Sequence, residues 1–257
     1  MTNRATFARS ESNDPHSTTE LWNQQAERWI AWAKDDSYFY EYNWPSFARI
    51  LPDELGACLD LGCGEGRTTE ALDALASQVI GLEPSMTLAT ATKHRSLSVV
   101  RGVGDALPFV SQSFDTVVAF MVLHDLEQMA TTCAEVSRVL RPYGVFCFAI
   151  IHPLSSAREL FESLVDRSYW DTWHYTDHAV RGDLTMDFHS IHRPLEDYFA
   201  ALNEAGMIVE RLSEVRPDPS YVARNPDARD IGRLPIYMHV RARVTGSQRE
   251  ASSTRPS

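Results

Sequence analysis

The run LDLGCGEGR, residues 59–67, decides the fold of this chain. Its first residues close an apolar segment, ACLDL, with the length and composition of a buried strand, and the TTEALDALA that follows has helical spacing. Between them Gly62, Gly64 and Gly66 mark a strand-to-helix turn in which backbone can approach a ligand with no Cβ in the way. The helix N-terminus behind the loop attracts an anion. The glycines read GxGxG with Asp60 just before them, and Arg67 stands where the dinucleotide pattern GxGxxG needs its last glycine. A site built around a pyrophosphate is therefore disfavoured.

Outward from the loop, short apolar runs alternate with helical patterns: strand QVIGL, a helix from Ser85, strands LSVVR and FDTVVAF, helix LEQMATTCAEVSRVL and strand VFCFAII. That order predicts a parallel sheet with crossover helices on both faces. After His152 the pattern breaks into a polar, aromatic stretch, residues 153–192, before helix LEDYFAALNEAG and two last strands. The final one, IYMHVRARV, alternates Ile236, Met238, Val240, Ala242 and Val244 with Tyr237, His239, Arg241 and Arg243, as an antiparallel strand near an edge with one solvated face does. Upstream, ELWNQQAERWIAWAK puts Leu21, Trp22, Ala26, Trp29, Ile30 and Ala33 on one helical face behind a Thr18/Thr19 cap, and PSFARIL starts a short helix at Pro45. The expected architecture is an α/β, Rossmann-like, seven-stranded and mostly parallel sheet with an antiparallel last strand.

A chain of 257 residues with 44% hydrophobic content can bury one large core, placed here at residues 18–245. Residues 1–17 and 246–257 are polar and are expected to be disordered. Residues 18–52 are expected to carry N-terminal helices, and residues 153–192 an insertion after the fifth strand. No apolar run reaches the roughly twenty residues a bilayer demands and the first residues hold no signal core, so a cytoplasmic protein with no membrane partner is expected. Cys58, Cys63, Cys133 and Cys147 make no CxxC pair, and no metal site is expected. A net charge of −11 without a basic run excludes nucleic acid as a favoured partner.

With these residues in order, the chain resembles the class I S-adenosylmethionine-dependent methyltransferases of the small-molecule, natural-product type, from about residue 20 to about residue 245. The resemblance implies that Asp60 and the backbone of Gly62, Cys63 and Gly64 hold the amino-acid end of S-adenosylmethionine. In VIGLEPS, Glu83 would accept the two ribose hydroxyls and Pro84, Ser85 and Met86 would lie along the adenine. Asp105 would meet the adenine amino group with Ala106 nearby, and Phe120 and Met121 would face the methionine moiety. WNQQAERW resembles the family's lid helix, which implies that residues 18–52 form an N-terminal lid and residues 153–192 an acceptor-side insertion, and Trp29 either covers the cofactor or packs on the core. In EVSRVLRPYGVFCFAII, Tyr143 replaces a frequent turn glycine.

A sulfonium methyl is already electrophilic, so positioning does most of the work and a general base is optional. His124 and His152 follow the fourth and fifth strands to the cofactor edge and are candidates for catalysis and acceptor contact, with packing or capping as the alternative. Tyr42 is a third proton-transfer candidate. Two aromatic clusters, YFYEYNW with Tyr38, Tyr42 and Trp44, and SYWDTWHY with Trp170 and Trp173, are expected to wall a flat, apolar acceptor such as an indole or phenol. Methylation at C, N or O is left open. The rival functions are a protein or RNA methyltransferase and a non-catalytic S-adenosylmethionine-binding module.

Overall fold

A computed structural model describes residues 6–12, 16–34, 36, 38–158, 167–224 and 234–246. The described chain begins with strand β1 (Thr6–Glu11), helix α1 (Thr18–Ala33), a π-helical turn (Tyr38–Asn43) and helix α2 (Trp44–Ala48). The sheet core follows as β2 (Ala57–Leu61), α3 (Arg67–Asp73), β3 (Gln78–Leu82), α4 (Met86–His94), β4 (Val99–Val100), β5 (Phe114–Phe120), α5 (Met129–Val139) and β6 (Leu140–Ile151). Then come α6 (Pro153–Ser156), the hairpin β7 (Trp173–Arg181) and β8 (Leu184–His192), α7 (Leu195–Glu204), β9 (Met207–Glu214), α8 (Pro219–Arg224) and β10 (Tyr237–Val244).

The main sheet has seven strands in the order β4-β3-β2-β5-β6-β10-β9, parallel except for β10, which runs antiparallel to both β6 and β9. This is the expected architecture, with the antiparallel strand one place in from the edge. The chain steps outward from β2 to β4 and then returns beside β2 as β5, so loops diverge at the carboxyl ends of β2 and β5. In open parallel sheets that divergence makes the ligand crevice. Near the start of β6, where the ladder to β5 shifts register between Leu140 and Val145, Tyr143 takes φ +64°, the left-handed region a glycine would fill, with its ring exposed.

Three expectations are corrected. Residues 6–11, expected to be disordered, form β1, which pairs antiparallel with β7 in a separate three-stranded sheet β1-β7-β8. TFARSE has little apolar surface of its own, and its ladder comes from a hairpin more than 160 residues away. The cap of α1 is Ser17, in a reciprocal capping box with Glu20, and Thr18 instead donates from Oγ1 to the Asp125 carbonyl at 2.6 Å. The second face of β10 is solvated only in part: Arg241 and Arg243 are partly exposed, but His239 is buried, its Nε2 lies 2.7 Å from Asn43 Oδ1, and Phe47 packs edge-on to its ring. Residues 247–257 lie outside the described residues. No described helix is long and apolar enough to cross a membrane.

Candidate cofactor and acceptor site

Strand β2 leads straight into the glycine loop. Gly62 and Gly64 have φ of +69° and +58°, which an L side chain adopts only with strain. A Cβ on Gly62 would come within 2.6 Å of a Val122 methyl, so this glycine serves the turn and its packing. The N–H groups of Gly62 and Cys63 donate to the Leu82 carbonyl at 2.8 and 3.0 Å, and that of Gly64 donates to Glu83 Oε2 at 3.1 Å. These three N–H groups, expected to hold a ligand, instead pin the loop to the end of β3.

Above the loop lies a cavity of about 900 Å³ whose wall includes Gly62, Cys63, Gly64, Glu83, Pro84, Asp105, Phe120, Met121 and Trp29. Buried Glu83 accepts the Ser85 N–H on Oε1 at 2.9 Å and the Gly64 N–H on Oε2, leaving further lone pairs on both oxygens. Burial pushes its pKa up to about 7 against the pull of those two bonds. A vicinal diol supplies the two donors such a carboxylate can still take, and this end of the cavity fits the ribose of S-adenosylmethionine. Trp29 donates from Nε1 to Glu65 Oε2 at 2.6 Å, and the Arg67 guanidinium sits 4.7 Å from the indole centroid. Met121 holds φ +60° where β5 turns into the cavity.

Four cofactor-side expectations fall outside the wall. Asp60 is buried beneath the loop, where Oδ2 accepts the Thr69 hydroxyl at 2.7 Å and burial raises its pKa to about 7. Ser85 caps α4 and donates its hydroxyl to Asn23 Oδ1 at 2.8 Å. Met86 is 56% exposed and lines a separate surface groove with Glu27, Ile30 and His94. Ala106 is exposed, with its N–H on the Val103 carbonyl at 3.4 Å.

On the acceptor side, His124 alone of the expected residues with described side chains reaches the wall. Tyr42 is core: its hydroxyl donates to the Val215 carbonyl at 3.1 Å and its ring stacks on Tyr221. Trp44 packs behind Phe39 and Phe120. His152 caps α6, its Nδ1 accepting the Leu154 N–H at 3.1 Å and its Nε2 lying 3.2 Å from Glu214 Oε1. Trp170 is 69% exposed, and Trp173 is buried against His192 at 3.8 Å between ring centroids. The side chain of Tyr38 lies outside the described residues. Tyr42→Phe should therefore lower the melting temperature by a few degrees, the worth of roughly 1 kcal/mol for one buried hydrogen bond in a domain of this size, and leave turnover unchanged. A tenfold loss of turnover in that variant would restore Tyr42 to the chemistry.

The aromatic wall is built elsewhere. Trp22, Trp29 and Trp32 of α1 and Phe7 of β1 surround Phe188 of β8, with ring centroids 6.1, 6.1, 5.6 and 6.2 Å from it, and all five line the cavity. Phe39 and Asn43 are what the YFYEYNW run contributes. Helical spacing marked the α1 tryptophans, whereas no local signal in the insertion set Phe188 apart from its neighbours.

His124 and Asp125 lie where β5 exits. His124 Nε2 is 3.3 Å from Asp125 Oδ1, and burial, with the charge of Arg193, lowers the imidazole pKa to about 3, so the ring is neutral at physiological pH. Burial raises Asp125 to about 8 against hydrogen bonds from Ser190 and Trp22 and the charge of Arg193. The same corner ties the chamber together: α1 reaches it through Thr18, and the Ile191 N–H beside β8 Ser190 donates to the His124 carbonyl at 3.0 Å.

Residues 59–148 match the family model described as a methyltransferase domain. The chain is 31% identical over 96 residues to a demethylmenaquinone methyltransferase of Corynebacterium kroppenstedtii, covering 37% of this chain and 42% of the relative, so it spans less than half of that relative's length. Among solved structures it is similar to an S-adenosylmethionine-dependent methyltransferase of Mesorhizobium loti, with TM-score 0.64 and 24% identity over 78% of this chain and 97% of that one. It is also similar to the [4+2]-cyclase SpnF, with TM-score 0.60 and 16% identity over 93% and 99% of the two chains. These structural likenesses concern the fold. The matched segment, which covers the glycine loop, Glu83 and Asp105, is similar to a methyltransferase domain, and the chain shares its fold with S-adenosylmethionine-dependent methyltransferases.

Proposed function

We propose that this protein transfers a methyl group from S-adenosylmethionine to a small, apolar, ring-bearing acceptor. The observation that carries this reading is one cavity of about 900 Å³ joining the Glu83 and Asp105 end to the tryptophan wall of α1. Ligand pockets run to roughly 300–1,000 Å³, and a volume near the top of that range leaves room beside a cofactor for a small acceptor. When bound, S-adenosylmethionine supplies an electrophilic sulfonium methyl. Glu83 and Asp105 orient it, Phe120 and Met121 flank it, and Trp22, Trp29, Trp32 and Phe188 exclude water and hold a flat acceptor by edge and face contacts. His124, neutral and within the wall, takes the acceptor's proton where the acceptor has one to lose.

The relative named for demethylmenaquinone supports a small-molecule acceptor, and the roofed cavity with a net charge of −11 speaks against a nucleic-acid one. Four buried, free cysteines accord with a reducing, cytoplasmic setting. Because a [4+2]-cyclase shares the fold, fold alone does not assign methyl transfer. The deciding experiment is a mass-spectrometric screen of indoles, phenols and amines for a gain of one methyl from S-adenosylmethionine. Cofactor binding without methyl gain on any of them would favour the non-catalytic reading. With an acceptor in hand, His124→Ala should lower kcat by about a hundredfold or more with cofactor affinity nearly unchanged; full activity would remove His124 from the chemistry.

A further inference from the structure

The wall of the large cavity contains a specific pattern of unmet hydrogen bonds. Among the described residues, the buried side-chain polar atoms without a hydrogen-bond partner that belong to wall residues are Glu65 Oε1, His124 Nδ1 and Asp125 Oδ1. The others, on Tyr175, Arg193, His239 and Arg241, belong to residues outside the wall. Glu65 Oε1 has the Arg67 guanidinium 3.4 Å away, which leaves the adjacent His124 and Asp125 at the exit of β5. An unmet buried acceptor is a standing cost to the free protein, and two side by side in a cavity wall are what a missing ligand donor leaves behind.

Arg9 is held by both Asp177 oxygens at 2.7 Å each. Arg67 is paired with Asp36 at 3.1 Å, and Arg181 donates to the Trp32 carbonyl with its guanidinium 4.3 Å from the indole centroid. Three of the four arginines in the described wall are thus engaged, whereas Arg158 is exposed and the charge of Arg193 acts on both His124 and Asp125, so the two unmet atoms and not the net charge of the wall select the acceptor's polar group. With Nε2–H turned toward Asp125 Oδ1, His124 Nδ1 keeps its lone pair for the ligand.

We propose that the acceptor presents a hydrogen-bond donor, a hydroxyl or N–H carried on an apolar ring, to His124 Nδ1 and Asp125 Oδ1, and that rings lacking a donor are held more weakly. The inference rests on the methyl-transfer reading for the identity of the cavity's other occupant. It extends that reading by naming the acceptor's polar group and a second residue, Asp125, that selects for it.

The test is calorimetric titration of the full chain, saturated with S-adenosylhomocysteine, with naphthol, naphthylamine, methoxynaphthalene and naphthoate. Naphthol and naphthylamine should bind at least about tenfold tighter than methoxynaphthalene, a difference of about 1.4 kcal/mol, and no weaker than naphthoate, which tests whether Arg158 or Arg193 reads the acceptor instead. In His124→Phe that preference should shrink to about threefold or less while methoxynaphthalene binds as well as before, and the variant should melt no lower than the wild type. Asp125→Asn, which keeps an acceptor oxygen, should retain most of the preference. Equal affinities across the panel, a preference for naphthoate, or no binding by any of the four overturns the proposal, and the wild-type ranking decides it even where a variant does not fold. Failure to bind S-adenosylhomocysteine would instead remove the methyl-transfer reading, whereas its binding alongside a flat panel removes this assignment alone.

Discussion

Glu83→Ala should weaken S-adenosylhomocysteine binding by about a hundredfold or more, the equivalent of about 3 kcal/mol, with the circular dichroism of the fold retained. Two donors to a carboxylate contribute roughly 1.5–3 kcal/mol each, so the loss of both is ample for that effect. The alanine also strips the Gly64 and Ser85 N–H groups of their acceptor, which loosens the loop holding Gly62 and Cys63 against β3. Glu83→Gln keeps one acceptor oxygen and should lie between alanine and wild type. The pH dependence has a definite sign. The Glu83 pKa of about 7 in the free protein must fall when donors bind its ionised form, so wild-type affinity should rise between about pH 6 and pH 8. The glutamine variant should show less of that rise, and calorimetry at three pH values reads both. Unchanged affinity in Glu83→Ala would remove Glu83 from the cofactor site.

The second large effect is on stability. Asp60→Asn should melt close to the wild type near pH 4 and about 5–10 °C above it at pH 8, the worth of up to about 4 kcal/mol. Burial, against the Thr69 hydrogen bond and with the charges of Glu65 and Glu83 adding to it, raises this carboxyl from 3.8 to about 7 in the folded chain. Between those two values the folded state binds more protons than the unfolded one, so stability falls as pH rises and levels off above about 7. Asparagine carries no such penalty and its Oδ1 still accepts the Thr69 hydroxyl. The buried neutral histidines, His124 and His239, lose stability in the opposite direction as pH falls below their ordinary value near 6.5, but they titrate alike in both proteins and cancel in the difference. Asp60 lies behind the loop, so cofactor affinity should fall less in this variant than in Glu83→Ala. An Asn variant that melts below the wild type at pH 8 would show that the ionised carboxylate is paired and stabilising.

How much of this was legible in the chain depends on distance along it. The strands ACLDL, QVIGL and FDTVVAF coincide with β2, β3 and β5 residue for residue, because buried parallel strands are continuous apolar runs bounded by turn residues. Glu83 and Asp105 sit immediately after such strands or within a short turn, so sheet order alone brings them to one edge. The alternation that marked β10 was also correct, but assigning the whole of its polar face to solvent was not, since His239 is covered by Asn43 and Phe47 from a segment nearly two hundred residues earlier.

The sequence by itself thus determined the Rossmann-like sheet, the cofactor edge and the presence of His124 there, all products of local hydrophobic period and strand order. Tertiary structure alone decided the aromatic wall of the large cavity. The polar strand β1 has no reason to be ordered until β7 offers it a ladder, and Arg9 meets Asp177 across 168 residues. Phe188 becomes the hub of the aromatic wall because β8 lies against α1, while Tyr42, Trp44, His152 and Trp173 are drawn into cores and caps. Aromatic content announces that rings will be buried; which cavity they face depends on strand pairings that carry almost no signal within any short window of sequence.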